Sequence, residues 1–249
     1  MIRGIRRFFG SAWIVVAMLI AWEAVVSISA INSIVMVSPS SIVRQILNNP
    51  HAFGEATLRT VLLATIGLIV GMTVGTLLAV ATWLSRFVFG LLTPISIIFA
   101  SVPVVAIIPI LARLFGYETG TVLAIVAIIS FFPAFVFTTS GLRNLPAGSD
   151  DVFRVLGVGK VRRLIYLALP SAVPEWAIAL RLGAANAVLS AIVAEFLMGT
   201  GGLGYVFNVA RGELDLSQAL GASAIAAMIS IACFSAATAL ERRARARWT

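Results

Sequence analysis

Long apolar runs separated by short polar stretches dominate the chain. The runs cover about residues 12–31, 58–84, 88–110, 121–140, 174–197 and 217–240. Each is close to the roughly 20 residues that a helix needs to cross the hydrocarbon of a bilayer. Unpaired backbone groups are not tolerated in lipid, so each run is expected to be helical. The pattern predicts an all-α membrane protein of about six transmembrane helices, with residues 1–249 forming one domain. The first run follows the basic residues Arg3, Arg6 and Arg7 and is interrupted by Trp22 and Glu23. Its length favours a retained span over a signal peptide.

The polar stretches and the small residues refine this outline. Ser38-Pro39-Ser40-Ser41 reads as a turn, with Ser40 or Ser41 capping a short helix over residues 42–47. Gly67, Gly71 and Gly75 recur at every fourth position and make one flat helix face. Such a face lets another backbone approach closely, here within the chain in preference to another subunit. Pro94, Pro103, Pro109 and Pro133 are expected to kink or end helices.

The longest polar stretch, 141–173, reads GLRNLPAGSDDVFRVLGVGKVRRLIYLALPSAV. Asp150 and Asp151 open a helix whose N-terminal dipole favours acidic residues. Val152, Val155 and Leu156 form an apolar stripe at helical spacing. Gly157 and Gly159 interrupt it, and Lys160, Arg162 and Arg163 start a second amphipathic helix that Pro170 is expected to end. Such a pair of helices suits docking into a partner's groove or lying on a membrane.

Composition supports the membrane class. Hydrophobic residues make up 60% of the chain and charged residues 11%, against about 25% charged in soluble domains. The net charge of +8 does not point to nucleic acid, because its basic residues are dispersed between apolar runs. Six spans with the N-terminus inside place thirteen Lys and Arg in the cytoplasm and four outside, with Arg181 within a span. That bias predicts that both termini are cytoplasmic. The single cysteine, Cys233, and the single histidine, His51, offer no metal site and no intrachain disulfide.

Ionisable groups within spans are costly and often mark a pathway or a specific pair. Glu23, Arg181 and Glu195 are the candidates, and the last two lie on the fifth run, fourteen residues or about 21 Å apart, too far to pair along one helix. Arg181 is a candidate to line a path for anions, the alternative being snorkelling to the interface. Glu195 is a candidate external gate beside the glycine-rich turn 199–204, the alternative being plain interfacial exposure. Asn186, on the same run, is a third pathway candidate, or an interhelical hydrogen-bonding group.

The 141–173 segment resembles the EAA loop of binding-protein-dependent ABC importer permeases. That pattern reads E-A-A, three residues, G, nine residues, I, any residue, L-P. Here Asp151-Val152-Phe153 take the first triplet, Arg154-Val155-Leu156 the spacer, then Gly157, Leu167 and Leu169-Pro170, without a gap. Trp22-Glu23, Ser38-Pro39-Ser40, Ile192-Val193-Ala194-Glu195 and Gly201-Gly202-Leu203-Gly204-Tyr205 look like the sulfonate, taurine and nitrate permease group.

The resemblance implies a type I importer permease fold (MetI-like) in the bacterial inner membrane. It implies that two permease subunits, identical or paralogous, form the translocation path. Asp151, Val152, Phe153, Arg154, Gly157, Leu167, Leu169 and Pro170 would form the contact with an ATPase subunit. Gly201, Gly202 and Gly204 would belong to the external gate. An extracytoplasmic solute-binding protein would deliver a small anion or polar solute such as a sulfonate, taurine or nitrate. The chain has no G-x-x-x-x-G-K-[ST] phosphate loop, so ATP and Mg are expected on the partner ATPase, and neither a catalytic site nor a cofactor on this chain. An ion-coupled secondary transporter is the rival reading. It is expected to show central carboxylates and inverted repeats, and neither is evident.

Overall fold

The computed structural model describes residues 2–29, 32, 35–101 and 104–248. Among these, every regular element is helical: α1 (Ile2–Ile28), α2 (Pro39–Asn48), α3 (Pro50–Leu84), α4 (Arg86–Ser101), α5 (Val104–Phe115), α6 (Thr119–Arg143), α7 (Ser149–Val155), α8 (Lys160–Arg163), α9 (Leu169–Met198), α10 (Leu203–Gly212) and α11 (Leu216–Trp248). A π-helical turn, Leu164–Ala168, joins α8 to α9.

Four helical segments are long and apolar enough to cross a membrane: Pro50–Leu84, Thr119–Arg143, Lys160–Met198 and Leu216–Trp248. Shorter apolar stretches occupy Trp13–Ile28, Arg86–Ser96 and Ala106–Phe115. The third expected run corresponds to α4 and α5, and the expected kink at Pro103 lies outside the described residues. Pro94, Pro109 and Pro133 lie inside α4, α5 and α6 and end none of them.

The bundle centre is built by small residues. A Cβ placed at Gly71 would come within 2.7 Å of the Ser130 Cβ, and one at Gly75 within 2.7 Å of the Ala134 Cβ. The glycine face of α3 therefore packs against α6 of the same chain, as its spacing predicts. Leu58, Leu62, Ile66, Ile69 and Leu77 point the other way and are exposed, as suits a lipid-facing stripe. α6 packs in turn on α9, and α9 on α11.

Two sequence expectations need correction. Pro170 does not end the second amphipathic helix: it sits in the first turn of α9, and one continuous helical segment runs from Lys160 to Met198. Proline has no N–H to donate to the preceding turn, and the backbone widens into the π-helical turn immediately before it. The cap of α2 is Ser38, whose Oγ accepts from the Ser41 N–H at 3.3 Å, with Pro39 in the first turn. Ser40 instead donates from its N–H and its Oγ to the Glu23 carboxylate, at 2.9 and 2.8 Å, tying α1 to α2.

Candidate functional site

The sequence candidates fall at opposite ends of the bundle. At one end, α3 finishes, α4 starts, and α7 and α8 fold back across the gap beside the end of α6. The short helix α7 is too brief to persist alone, and ion pairs fasten it. Asp150 pairs with Arg154 at 3.0 Å along the helix and with Arg163 of α8 at 3.1 Å. Arg163 and Lys160 lie over the Trp83 ring, 5.5 and 6.0 Å from its centroid, within cation–π range. Lys160 Nζ also donates to the Leu84 carbonyl at 2.6 Å. Trp83 Nε1 donates to the Leu142 carbonyl at 3.1 Å. The ends of α3 and α6, together with α7 and α8, thus form one fastened unit.

The corner between α7 and α8 is Gly157, with φ +67° and no neighbouring atom within 4 Å of the place a Cβ would take. A left-handed turn with open space around it is the conformation that glycine adopts at least cost. The Val158 N–H closes the turn on the Phe153 carbonyl at 3.0 Å. Beyond the corner, Leu164, Leu167 and Ala168 are buried and pack the root of the loop into the bundle. The stripe on α7 has the opposite fate. Val152 is 56%, Leu156 71% and Val155 88% exposed. The structure thus divides the spaced residues: Leu167 anchors, while Val152 lies outside with Val155 and Leu156.

At the other end, α9 stops at Gly199, and a glycine turn leads into α10. Glu195, one turn before that stop, is 0% exposed, so plain interfacial exposure is corrected. Thr60 of α3 donates its hydroxyl to the carboxylate at 2.9 and 3.0 Å. The Gly204 N–H donates to the same carboxylate at 3.0 Å. The Thr60 Oγ1 also accepts from the Leu203 N–H at 2.9 Å. The start of α10 is therefore hydrogen-bonded through Glu195 and Thr60 to both α9 and α3. Gly202 has φ +126° and lies so close that a Cβ there would overlap the carboxylate, while one at Gly204 would overlap the Ile192 carbonyl oxygen. Gly201 lies under the Arg59 guanidinium, which donates to Thr119 Oγ1 at 2.9 Å.

The remaining candidates on α9 separate. Arg181 turns toward α11 and meets Glu241 at 3.1 Å, a charge contact without the angle of a good hydrogen bond. Glu241 also holds Arg245 at 3.0 Å. Asn186 lies on the exposed side of α9 near Leu189. Sequence reasoning missed Thr60 and Glu241. Their partners lie 135 and 60 positions away, and nothing in the local pattern marks them.

Residues 67–248 match the family described as binding-protein-dependent transport system inner membrane component. The chain is 30% identical to the formylaminopyrimidine transport permease protein ThiX of Halalkalibacterium halodurans, over 73% of each chain. It is 25% identical to the taurine transport system permease protein TauC of Escherichia coli, over 91% of this chain and 85% of that one. Its fold matches a crystal structure of an amino acid ABC transporter with histidines at a TM-score of 0.69 and 15% identity, over 84% of this chain and all of that one. Four long apolar helices, a fastened loop at one end and this match over most of the chain agree: the chain belongs to the binding-protein-dependent transport system inner-membrane components, and is a multi-pass permease subunit of an ABC importer in a bacterial plasma membrane.

Proposed function

We propose that α7, the Gly157 corner and α8 form the element through which a separate ATPase subunit drives this permease. The observation that carries the reading is the exposure of Val152, Val155 and Leu156 on a short helix that the Asp150–Arg163 pair ties to α8, whose Arg163 lies in turn over Trp83. Apolar groups left in water at a fixed position are a docking face. A rigid base is what a lever needs. Asp151, Phe153, Arg154 and Gly157 shape the docking end, and Leu167, Leu169 and Pro170 root it in α9. ATP and Mg belong to the partner ATPase.

In this reading the chain supplies half of a translocation path, completed by a second permease subunit. Asn186 is exposed on α9 and is the side chain proposed to face that path. Arg181 has its charge met by Glu241 and is proposed to fix the distance between α9 and α11 rather than to attract anions. The glycine turn with Gly201, Gly202 and Gly204 is proposed as the outer gate, beneath an extracytoplasmic solute-binding protein. The substrate is proposed to be a small anion or polar solute. A taurine permease and a formylaminopyrimidine permease among the relatives fit that class.

Val155→Glu tests the coupling assignment, because this side chain touches little of its own chain. The variant is expected to insert and fold normally, to lose copurification with the ATPase, and to lose uptake. Normal ATPase capture by V155E would overturn the assignment.

A further inference from the structure

We propose that this permease carries a binding site for an anionic phospholipid, with the headgroup beside α8 and an acyl chain between α4 and α6. The first observation is an open cleft of about 580 Å³ at the basic end of the bundle. Arg86, Arg143, Lys160 and Arg163 line it against one carboxylate, Asp150. That carboxylate is already shared by Arg163 and Arg154. Arg143 stacks on Phe89, with its guanidinium carbon 3.4 Å from the ring centroid, and among the described residues no carboxylate pairs with it. The cleft therefore keeps an excess of positive charge where the helices leave the apolar layer.

The second observation is an apolar groove of about 300 Å³ between α4 and α6, lined by Leu92, Ile95, Ile128, Phe131, Phe132 and Phe135 together with Ser96. It lies next to the cleft along α4, where Phe89 of the cleft and Leu92 of the groove stand about one helical turn apart. Leu92, Phe131 and Phe135 of the groove belong to the same packed cluster as Trp83, Leu142 and Leu145 of the cleft. A basic mouth beside an apolar slot, about one helical turn away along α4, matches a molecule with an anionic head and a hydrocarbon tail. A free phosphate would use only the mouth, and an apolar partner only the slot. Basic pockets between helices at a membrane surface bind acidic headgroups by this charge complementarity. The cleft borders the proposed coupling element through Asp150, Lys160 and Arg163, but none of Val152, Val155 and Leu156 of the docking stripe lines it.

Trp83, which lines the cleft, supplies the probe. The full chain is placed in phosphatidylcholine vesicles containing brominated phosphatidylglycerol or brominated phosphatidylcholine. Quenching of Trp83 is taken as the difference between the wild type and Trp83→Phe. Brominated phosphatidylglycerol is expected to quench at a mole fraction at least tenfold lower than brominated phosphatidylcholine. Each basic residue at such a surface is worth roughly fivefold in binding. Arg86→Gln with Arg143→Gln should therefore remove the preference. Equal quenching by the two lipids would overturn the proposal. So would displacement by inorganic phosphate as effective as by phosphatidylglycerol, which would mark a site for a soluble anion. Failure of both lipids to quench Trp83 would also overturn it, and would indicate that a second copy of the chain covers the groove.

Discussion

Glu195 is an ionisable residue with no exposed surface in the chain, so its environment must supply every partner. Thr60 and Gly204 do so, and Gly202 leaves the room that the carboxylate occupies. Glu195→Ala removes the acceptor and strands two buried donors, each at a cost of about 1–3 kcal/mol. The unfolding midpoint of the purified protein is expected to fall, and to fall less in Thr60→Ser, which keeps the hydroxyl. Gly202→Ala is expected to destabilise as well, since its side chain meets the same carboxylate at a φ that disfavours any Cβ. Because both changes act on one contact, the double variant E195A/G202A should be less unstable than the sum of the two singles. Strict additivity would show that the carboxylate and the glycine turn are not coupled.

At the scale of elements, the contact between α3 and α6 depends on what is missing from α3. Gly71 lies where a Cβ would come within 2.7 Å of Ser130 and 2.9 Å of the Phe131 backbone nitrogen. Backbone cannot yield as a flexible side chain can, so Gly71→Val must separate the two helices. Overpacking of this kind costs about 1–3 kcal/mol or more. The expected result is a sharp fall in folded yield and in the unfolding midpoint. Gly54, near the start of the same helix, has open space where a Cβ would stand, with nothing within 4 Å. Gly54→Ala is expected to be neutral or to stabilise by up to about 1 kcal/mol, through helix propensity alone. Equal damage from both substitutions would mean that helix strain, and not the α3–α6 contact, sets the outcome. The glycine spacing was legible in the sequence because it is periodic and local. The cap of α2 was legible in principle too: proline prefers the first helical turn, so Pro39 pointed to Ser38. The path of α9 through Pro170 was not, because a π-helical turn leaves no mark in the pattern of apolar positions.

For the molecule as a whole, the legible part is what repeats or is closely spaced. The apolar runs announce the helices, and the unbroken spacing from Asp151 to Pro170 announces the loop. What stays hidden depends on helix register: Glu195 meets Thr60, and Arg181 meets Glu241, only once α3, α9 and α11 are packed at particular rotations. The packing also separates the two ends by charge. Arg86, Arg143, Lys160 and Arg163 gather at the α7–α8 end, while α2 and the glycine turn lie at the other. The bias of Lys and Arg toward the cytoplasm then dictates which end faces inward, and single cysteines can test it. Cys233→Ala removes the one native thiol. In that background Val155→Cys and Asn48→Cys place thiols at opposite ends, both at exposed positions. A membrane-impermeant maleimide applied to intact spheroplasts is expected to label N48C and to spare V155C. Inverted vesicles, made without the ATPase that is proposed to cover α7, should reverse the pattern. Labelling of V155C in intact spheroplasts would place the loop outside, where no ATPase could reach it.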